Sequence, residues 1–215
     1  MKNIIHSADM GGAAYKSSLP AYVTRESARG TEHVSVEALA YENGIIHAPR
    51  EITDEFAQEV IRLLQIAAVD KKNLWMFLNS PGGSVSAGLA LLDAMRAYPY
   101  KLRVCCTGLC ASMGAVILAG GQKGERYILP HSKVMIHEPL IAGGLGGSAT
   151  SIQRTAESIM ETKKILNGLL TEFTGRTVEE INKNTAYDNF FNAEEAIEFG
   201  LCDKIATGYE FLENN

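Results

Sequence analysis

The sequence predicts a single α/β domain built from parallel βαβ crossovers. Three observations lead there. Short apolar runs of strand length alternate with segments whose apolar residues recur at helical spacing. Turns rich in Gly and Pro separate them, and no Pro- or Ser-rich linker breaks the middle of the chain. The composition is that of one well-packed globular unit, with 215 residues, 46% hydrophobic and 21% charged.

Residues 1–30 are small, polar and irregular, so 1–18 is expected to be a leader or mobile arm and 19–215 the folded domain. From Thr53 the pattern turns helical, with Phe56, Val60, Leu63, Leu64 and Ala67 in register. Thr53 is suited to the N-cap, and Asp54 and Glu55 complement the helix dipole. LWMFLN (74–79) reads as a buried strand, Ser80-Pro81-Gly82-Gly83 as a turn, and Leu89, Leu92 and Met95 as the stripe of a helix. LRVCCTG (102–108) is the next strand, followed by a short helix near 112–119. Strands are expected at YIL (127–129) and KVMIHEP (133–139), then a Gly-rich stretch at 143–147. The longest helix signal, 148–173, carries Ile152, Ile159, Leu166, Leu170 and Phe173. It exceeds what a small sheet can cover, so it should project and pack on a neighbour. Thr177-x-x-Glu180 is a capping box, Asn192 caps another helix that Gly200 closes, and LCDKI (201–205) is the last strand.

Charge and cysteine usage narrow the function classes. The net charge of −5, with no Lys/Arg run, offers nucleic acid and anionic membranes little to bind. Cys105, Cys106, Cys110 and Cys202 form no CxxC pair, and adjacent Cys105 and Cys106 on a strand point to opposite faces. They read as buried free thiols of a reducing compartment. The N-terminus has no apolar run long enough for a signal-peptide core, and AVILAGG is too short to cross a bilayer. A cytoplasmic location is expected. No metal or organic cofactor is called for, and neither GxGxxG nor GxxxxGK[ST] is present.

Ser112, in Thr107-Gly-Leu-Cys-Ala-Ser-Met-Gly-Ala115, falls between a strand and an apolar helix. A hydroxyl presented there faces free N–H groups and partial positive charge, which favour a developing anion. The segment is not the GxSxG elbow, because Cys110 takes the first glycine's place. A serine nucleophile needs a base, and two histidines compete: His137 at the end of one strand and His131 before it. Asp188, in a loop between two capped helices, can orient an imidazole. The order Ser, His, Asp along the chain differs from the orders of trypsin-like, subtilisin-like and α/β-hydrolase enzymes. In Asn79-Ser-Pro-Gly-Gly-Ser84 the glycines leave the N–H of Gly83 able to face a ligand. With the N–H of Met113 it can supply the two donors that acyl transfer requires.

LNSPGGSVSAGLALLDAM, TGLCASMGAVILAGG, HSKVMIHEPL and DNFFNAEEAIEFGLCDKI, in this order, resemble the signature blocks of the Clp protease proteolytic-subunit family. The resemblance runs from about Leu19 to Ile205. It implies a crotonase-like α/β fold, a βαβ superhelix with a projecting handle helix. It implies a Ser112, His137, Asp188 triad, with Gly83 and Met113 as the oxyanion hole. By resemblance the subunit is a serine endopeptidase that cleaves unfolded proteins into short peptides inside a chamber of two stacked heptamer rings. A Clp-type AAA+ unfoldase is the implied partner, and a second proteolytic-subunit paralogue is another candidate. The apolar arm near Leu19-Pro20 resembles the family's axial-pore segment.

The chain also departs from the family. An acidic residue and an arginine that link the two rings are replaced by Ala186 and Tyr187. In the aromatic pocket that docks the unfoldase Phe77 is kept, but Gln65 stands where an apolar aromatic is common. The segment Ile45-Ile-His-Ala-Pro49 is unusual as well. Two alternative readings stand beside the peptidase: a structural or weakly active paralogue in a mixed ring, and a crotonase-type acyl-CoA enzyme. The second alternative would have no need of Ser112.

Overall fold

The computed structural model describes residues 3–6, 21–27, 30–141 and 146–208. Most of the expected leader, the arm at Leu19-Pro20 and positions 142–145 of the Gly-rich stretch lie outside these residues. Among the described residues no helix is long and apolar enough to cross a membrane.

Residues 1–30 are less irregular than expected. β1 (Asn3–His6), β2 (Tyr22–Ser27) and β3 (Gly30–Ser35) form a small antiparallel sheet. Among the described side chains of β2 and β3, Val23 and the opposite Val34 form the one buried apolar pair. α1 (Val36–Glu42), capped by Ser35, leads into β4 (Ile45–Ala48), the strand formed by the unusual segment.

The main domain then alternates as the periodicity predicts. α2 (Asp54–Val69) begins where the Thr53 side chain accepts the N–H of Phe56. It buries Phe56, Val60, Leu64 and Ala67, while Leu63 is only partly covered. β5 (Leu74–Ser80) is followed by α3 (Val85–Arg96), which buries Leu91, Leu92 and Met95 and leaves Leu89 at the margin. β6 (Leu102–Ala111) is longer than expected and leads into α4 (Met113–Ala119), which is buried throughout. β7 (Arg126–Ile128) and β8 (Lys133–Ile136) precede α5 (Ala149–Thr174), so the second strand ends three residues before the expected limit. α6 (Val178–Thr185), β9 (Asn189–Phe191), α7 (Ala193–Phe199) and β10 (Lys204–Ile205) complete the domain. The expected capping box of Thr177 with Glu180 is formed, and Asn192, expected as a simple cap, forms a second box with Glu195.

The strands form one seven-stranded sheet in the order β10-β7-β6-β5-β4, with β8 paired to β6 and β9 paired to β8. All pairings are parallel except β8 with β9. β6 changes partner along its length: Val104–Cys106 pair with β7, and Leu109–Ala111 with β8. The change occurs at Gly108, with φ +110°, a conformation open mainly to glycine. Asn79 Oδ1 accepts the N–H of Leu109 at 3.1 Å, and Ser132 Oγ accepts that of Gly108 at 2.7 Å, so the kink leaves neither donor orphaned.

The cysteines lie as the alternation predicts. Cys106 joins the main core and Cys105 a small cluster with Trp75 and Ala206 on the other face. All four are free and buried. Burial pushes the Cys110 thiol well up and that of Cys202 to about 12. Among the described residues the most deeply buried charged side chain is Arg126, 1% exposed, held by Asp203 and by the carbonyls of Ala119 and Phe173.

At about 1.5 Å per residue, the 26-residue α5 is about 39 Å long. Only its C-terminal part is covered by its own chain, through Leu166, Leu170 and Phe173. The expected stripe is therefore split: Leu166, Leu170 and Phe173 are buried internally and Ile159 is half-buried, while Ile152 stands exposed, as do Met160 and Ile165 further along the helix.

Candidate active site

Ser112 occupies the N-cap position of α4 but does not cap it. Thr53, Ser84, Ser148, Thr177 and Asn192 each accept an N–H of the helix they open, whereas Ser112 makes no such bond. Its backbone has φ +53° and ψ −122°, left-handed for a residue with a side chain. Such strain persists only where the surroundings impose it. It turns the hydroxyl away from the helix, and Ser112 Oγ lies 2.8 Å from His137 Nε2.

Backbone pairing fixes that approach. The Ser112 N–H donates to the carbonyl of Met135, two residues before His137, at 2.9 Å. His137 directly follows β8, just past the last paired residue, and its side chain is 14% exposed. On the other edge of β8, Ile136 is paired with Asn189. Antiparallel register then sets the next residue, His137, opposite the preceding one, Asp188. His137 Nδ1 lies 3.1 Å from Asp188 Oδ1. The Glu138 N–H donates to the Thr185 carbonyl at 2.7 Å, and Lys163 of α5 pairs with the Glu138 carboxylate. The segments on both sides of the contact are thus tied down, although the Asp188 side chain itself is 60% exposed.

His131, the rival base, lies elsewhere, on a surface with Leu129, Pro130 and Ala206 that contains neither Ser112 nor Asp188. Of the two histidines, His137 is the one in hydrogen-bond contact with Ser112.

The turn after β5 passes directly beside Ser112. Ile52 donates to the Gly82 carbonyl and accepts from the Ser84 N–H, both at 2.8 Å. That bridge faces one side of the strand, so the N–H of Gly83 points to the other. Met113 is the first residue of α4, where an N–H has no acceptor within the helix. Both residues border a cavity of about 160 Å³ that also touches Ser112 and His137. Its other walls are apolar, from Val85, Val116, Ile136, Leu166 and Leu170. The arrangement can present a hydroxyl, a proton acceptor, two N–H donors and an apolar recess to one extended chain.

Sequence reasoning did not single out Asn79 and Ser132, which satisfy the β6 kink, or Lys163, which anchors the residue after His137. Their partners are 30, 24 and 25 positions away, so no local pattern reveals them.

The chain is similar to known proteins over most of its length. Residues 28–208 match the family described as Clp protease. The chain is 42% identical over 173 residues to the ATP-dependent Clp protease proteolytic subunit 2 of Bifidobacterium longum, covering 80% of this chain and 83% of that one. It is 40% identical over 185 residues to the ATP-dependent Clp protease proteolytic subunit of Ligilactobacillus salivarius, with 85% and 93% covered. It is 41% identical over 192 residues to the ATP-dependent Clp protease proteolytic subunit 2 of Chlamydia pneumoniae, with 88% and 94% covered.

Proposed function

The chain belongs to the Clp protease family, with its crotonase-like α/β fold, and we propose that it is the proteolytic subunit of an ATP-dependent Clp protease with Ser112 as nucleophile. The observation that carries the reading is the continuous contact from Ser112 Oγ to His137 Nε2 at 2.8 Å and from His137 Nδ1 to Asp188 Oδ1 at 3.1 Å.

His137 takes the hydroxyl proton as Ser112 Oγ attacks a peptide carbonyl, and Asp188 holds the resulting imidazolium. The N–H groups of Gly83 and Met113 receive the oxyanion; in comparable sites losing one such donor costs about 3–4 kcal/mol. His137 then gives its proton to the leaving amine, the acyl group stays on Ser112, and water activated by the same imidazole releases it. The residue on the acyl side of the cut bond enters the apolar recess beside Ser112 and Met113. A hydrolase of this kind uses only these side chains and water.

Unfolded protein is the proposed substrate, delivered by a Clp-type AAA+ unfoldase into a chamber of two stacked heptamer rings. Exposed Ile152, Met160 and Ile165 on α5 support assembly, because a second copy laid along that helix would cover them. Phe77, stacked on His47 at 5.6 Å and on Trp75 at 5.9 Å, belongs to the proposed unfoldase-docking face.

A second reading has a specific observation behind it. Ala186 and Tyr187 cannot form ion pairs beside Asp188, and Tyr187 is 86% exposed. Two of the relatives are named proteolytic subunit 2. A subunit of a mixed ring, weakly active alone, fits these facts.

The test is covalent labelling with a fluorophosphonate combined with peptide hydrolysis. Wild type should be labelled at Ser112, and Ser112→Ala should lose labelling and about 10⁴-fold or more of its turnover. Full labelling of the alanine variant would overturn the assignment. Acyl-CoA binding without labelling would favour the crotonase-type reading.

A further inference from the structure

A groove of about 670 Å³ leads away from the Ser112 recess along α5, and the two share Val85, Pro139 and Leu140. Its helical wall carries hydroxyl side chains and a single charged residue, Arg154. Among the described residues Arg154 has no carboxylate partner. The favoured helical spacing offers it none, since the residues four before and four after are Thr150 and Ser158. Glu157, three residues on, is engaged by Gln153 at 2.9 Å. An unpaired guanidinium therefore faces a groove continuous with the proposed catalytic recess.

We propose that Arg154 is a specificity residue that reads an acidic side chain on the extended peptide substrate, about four to six residues from the bond that is cut. The proposal rests on the peptidase reading of Ser112. The spacing follows from the helix. Leu166 lines the Ser112 recess and Arg154 lies twelve residues before it on α5, about 18 Å at 1.5 Å per residue. An extended chain advances about 3.3 Å per residue, so five or six residues cover that span, and the reach of the arginine shortens it slightly. A planar guanidinium fork matches a carboxylate in two parallel hydrogen bonds, which neutral side chains cannot reproduce. The hydroxyls around it discriminate little, because they donate and accept alike.

The experiment uses quenched fluorogenic peptides of one sequence with an apolar residue before the cut. Gln, Glu or Lys is scanned from two to seven positions away on either side. Glu should raise kcat/KM over Gln by roughly three- to tenfold at four to six positions and at no nearer one, as expected of a half-exposed charge pair. The advantage should shrink with added salt. Arg154→Gln should bring the Glu-to-Gln ratio to about one, and Arg154→Glu should shift the preference to Lys. The charge-reversed variant guards against misfolding, since only an intact groove can invert its preference. A flat scan, or a Glu preference that survives in Arg154→Gln, would overturn the proposal while leaving the peptidase reading in place. A change in sedimentation with an unchanged preference would assign Arg154 to a subunit contact and overturn it too. Absence of cleavage for every peptide, with Ser112 unlabelled, would remove the peptidase reading and the proposal with it.

Discussion

Gly82 lies so close to Ser112 that a Cβ on the glycine would stand 2.7 Å from the serine Cβ and 2.9 Å from the Ala111 carbonyl oxygen. Its φ of +99° is also one that side chains rarely adopt. Gly82→Ala should therefore displace Ser112, the proposed nucleophile, relative to the Gly83 N–H. A displacement near 1 Å costs about 100-fold in rate, so peptide kcat/KM should fall by about that factor while the fold survives. Far-UV circular dichroism with steady-state kinetics checks it, and unchanged kcat/KM would show that the strained Ser112 geometry is not needed.

His137→Ala should abolish turnover, because Ser112 then has no proton acceptor within reach. His131 is exposed and remote from Ser112, so His131→Ala should leave kcat/KM within a factor of about two. Parallel assays of the two variants decide it. Loss of activity in the His131 variant alone would mean that the wrong base was assigned.

The recess beside Ser112 is walled by aliphatic side chains and offers no charge to a ligand. Peptides with Leu or Met before the cut should exceed otherwise identical peptides with Asp or Lys by at least about tenfold in kcat/KM, since an unpaired buried charge is costly. Mapping the cleavage sites of an unfolded protein by mass spectrometry tests this. Equal use of acidic and apolar positions would place the side chain elsewhere.

Met160 and Ile165 of α5 are 62% and 52% exposed, and the proposed assembly would cover apolar side chains of this helix. Each fully buried large apolar side chain contributes about 1.5–3 kcal/mol, so Met160→Asp with Ile165→Asp should dissociate the particle in analytical ultracentrifugation. The isolated wild type should hydrolyse peptides slowly and speed up with a partner ring or an activator. The reason is that Ala186 and Tyr187, next to the 60% exposed Asp188, bring no ion pairs to a facing ring beyond the contacts made within the chain. A compact two-ring particle with full activity alone would mean that another contact replaces them.

Arg126 and Asp203 predict a pH dependence of stability. Burial raises the Asp203 carboxyl, but hydrogen bonds from Arg126 and its charge outweigh that and hold it below its ordinary value. The stability it confers is thus fully present at neutral pH and is lost as the pH falls through the depressed folded value. Asp203→Asn leaves Arg126 buried without a counter-charge, at a cost of about 3 kcal/mol. Urea midpoints of variant and wild type should differ clearly at pH 7 and converge toward strong acid. A gap that is constant with pH would assign the loss to packing.

The sequence by itself determined the alternation of elements, because amphipathic spacing and caps act within a few residues. Thr53, Thr177 and Asn192 could be read as caps, and Phe56, Val60 and Leu64 as one buried face, without knowing their partners. The order of Ser112, His137 and Asp188 was equally legible as a set of candidates. The small sheet of β1, β2 and β3 was not, since among the described side chains of β2 and β3 only Val23 and Val34 form a buried apolar pair, too little for an apolar run to show. Nor was the division of the α5 stripe between the chain's own core and solvent, which depends on where the sheet ends. Only the tertiary structure sets His137, and not His131, beside Ser112, because that placement rests on register. β6 kinks at Gly108 to pair with β8, the Ser112 N–H bonds the Met135 carbonyl, and Ile136 pairs with Asn189. Hydrogen bonds between residues far apart in the chain bring a hydroxyl, an imidazole and a carboxylate into line, and no local propensity encodes that distance.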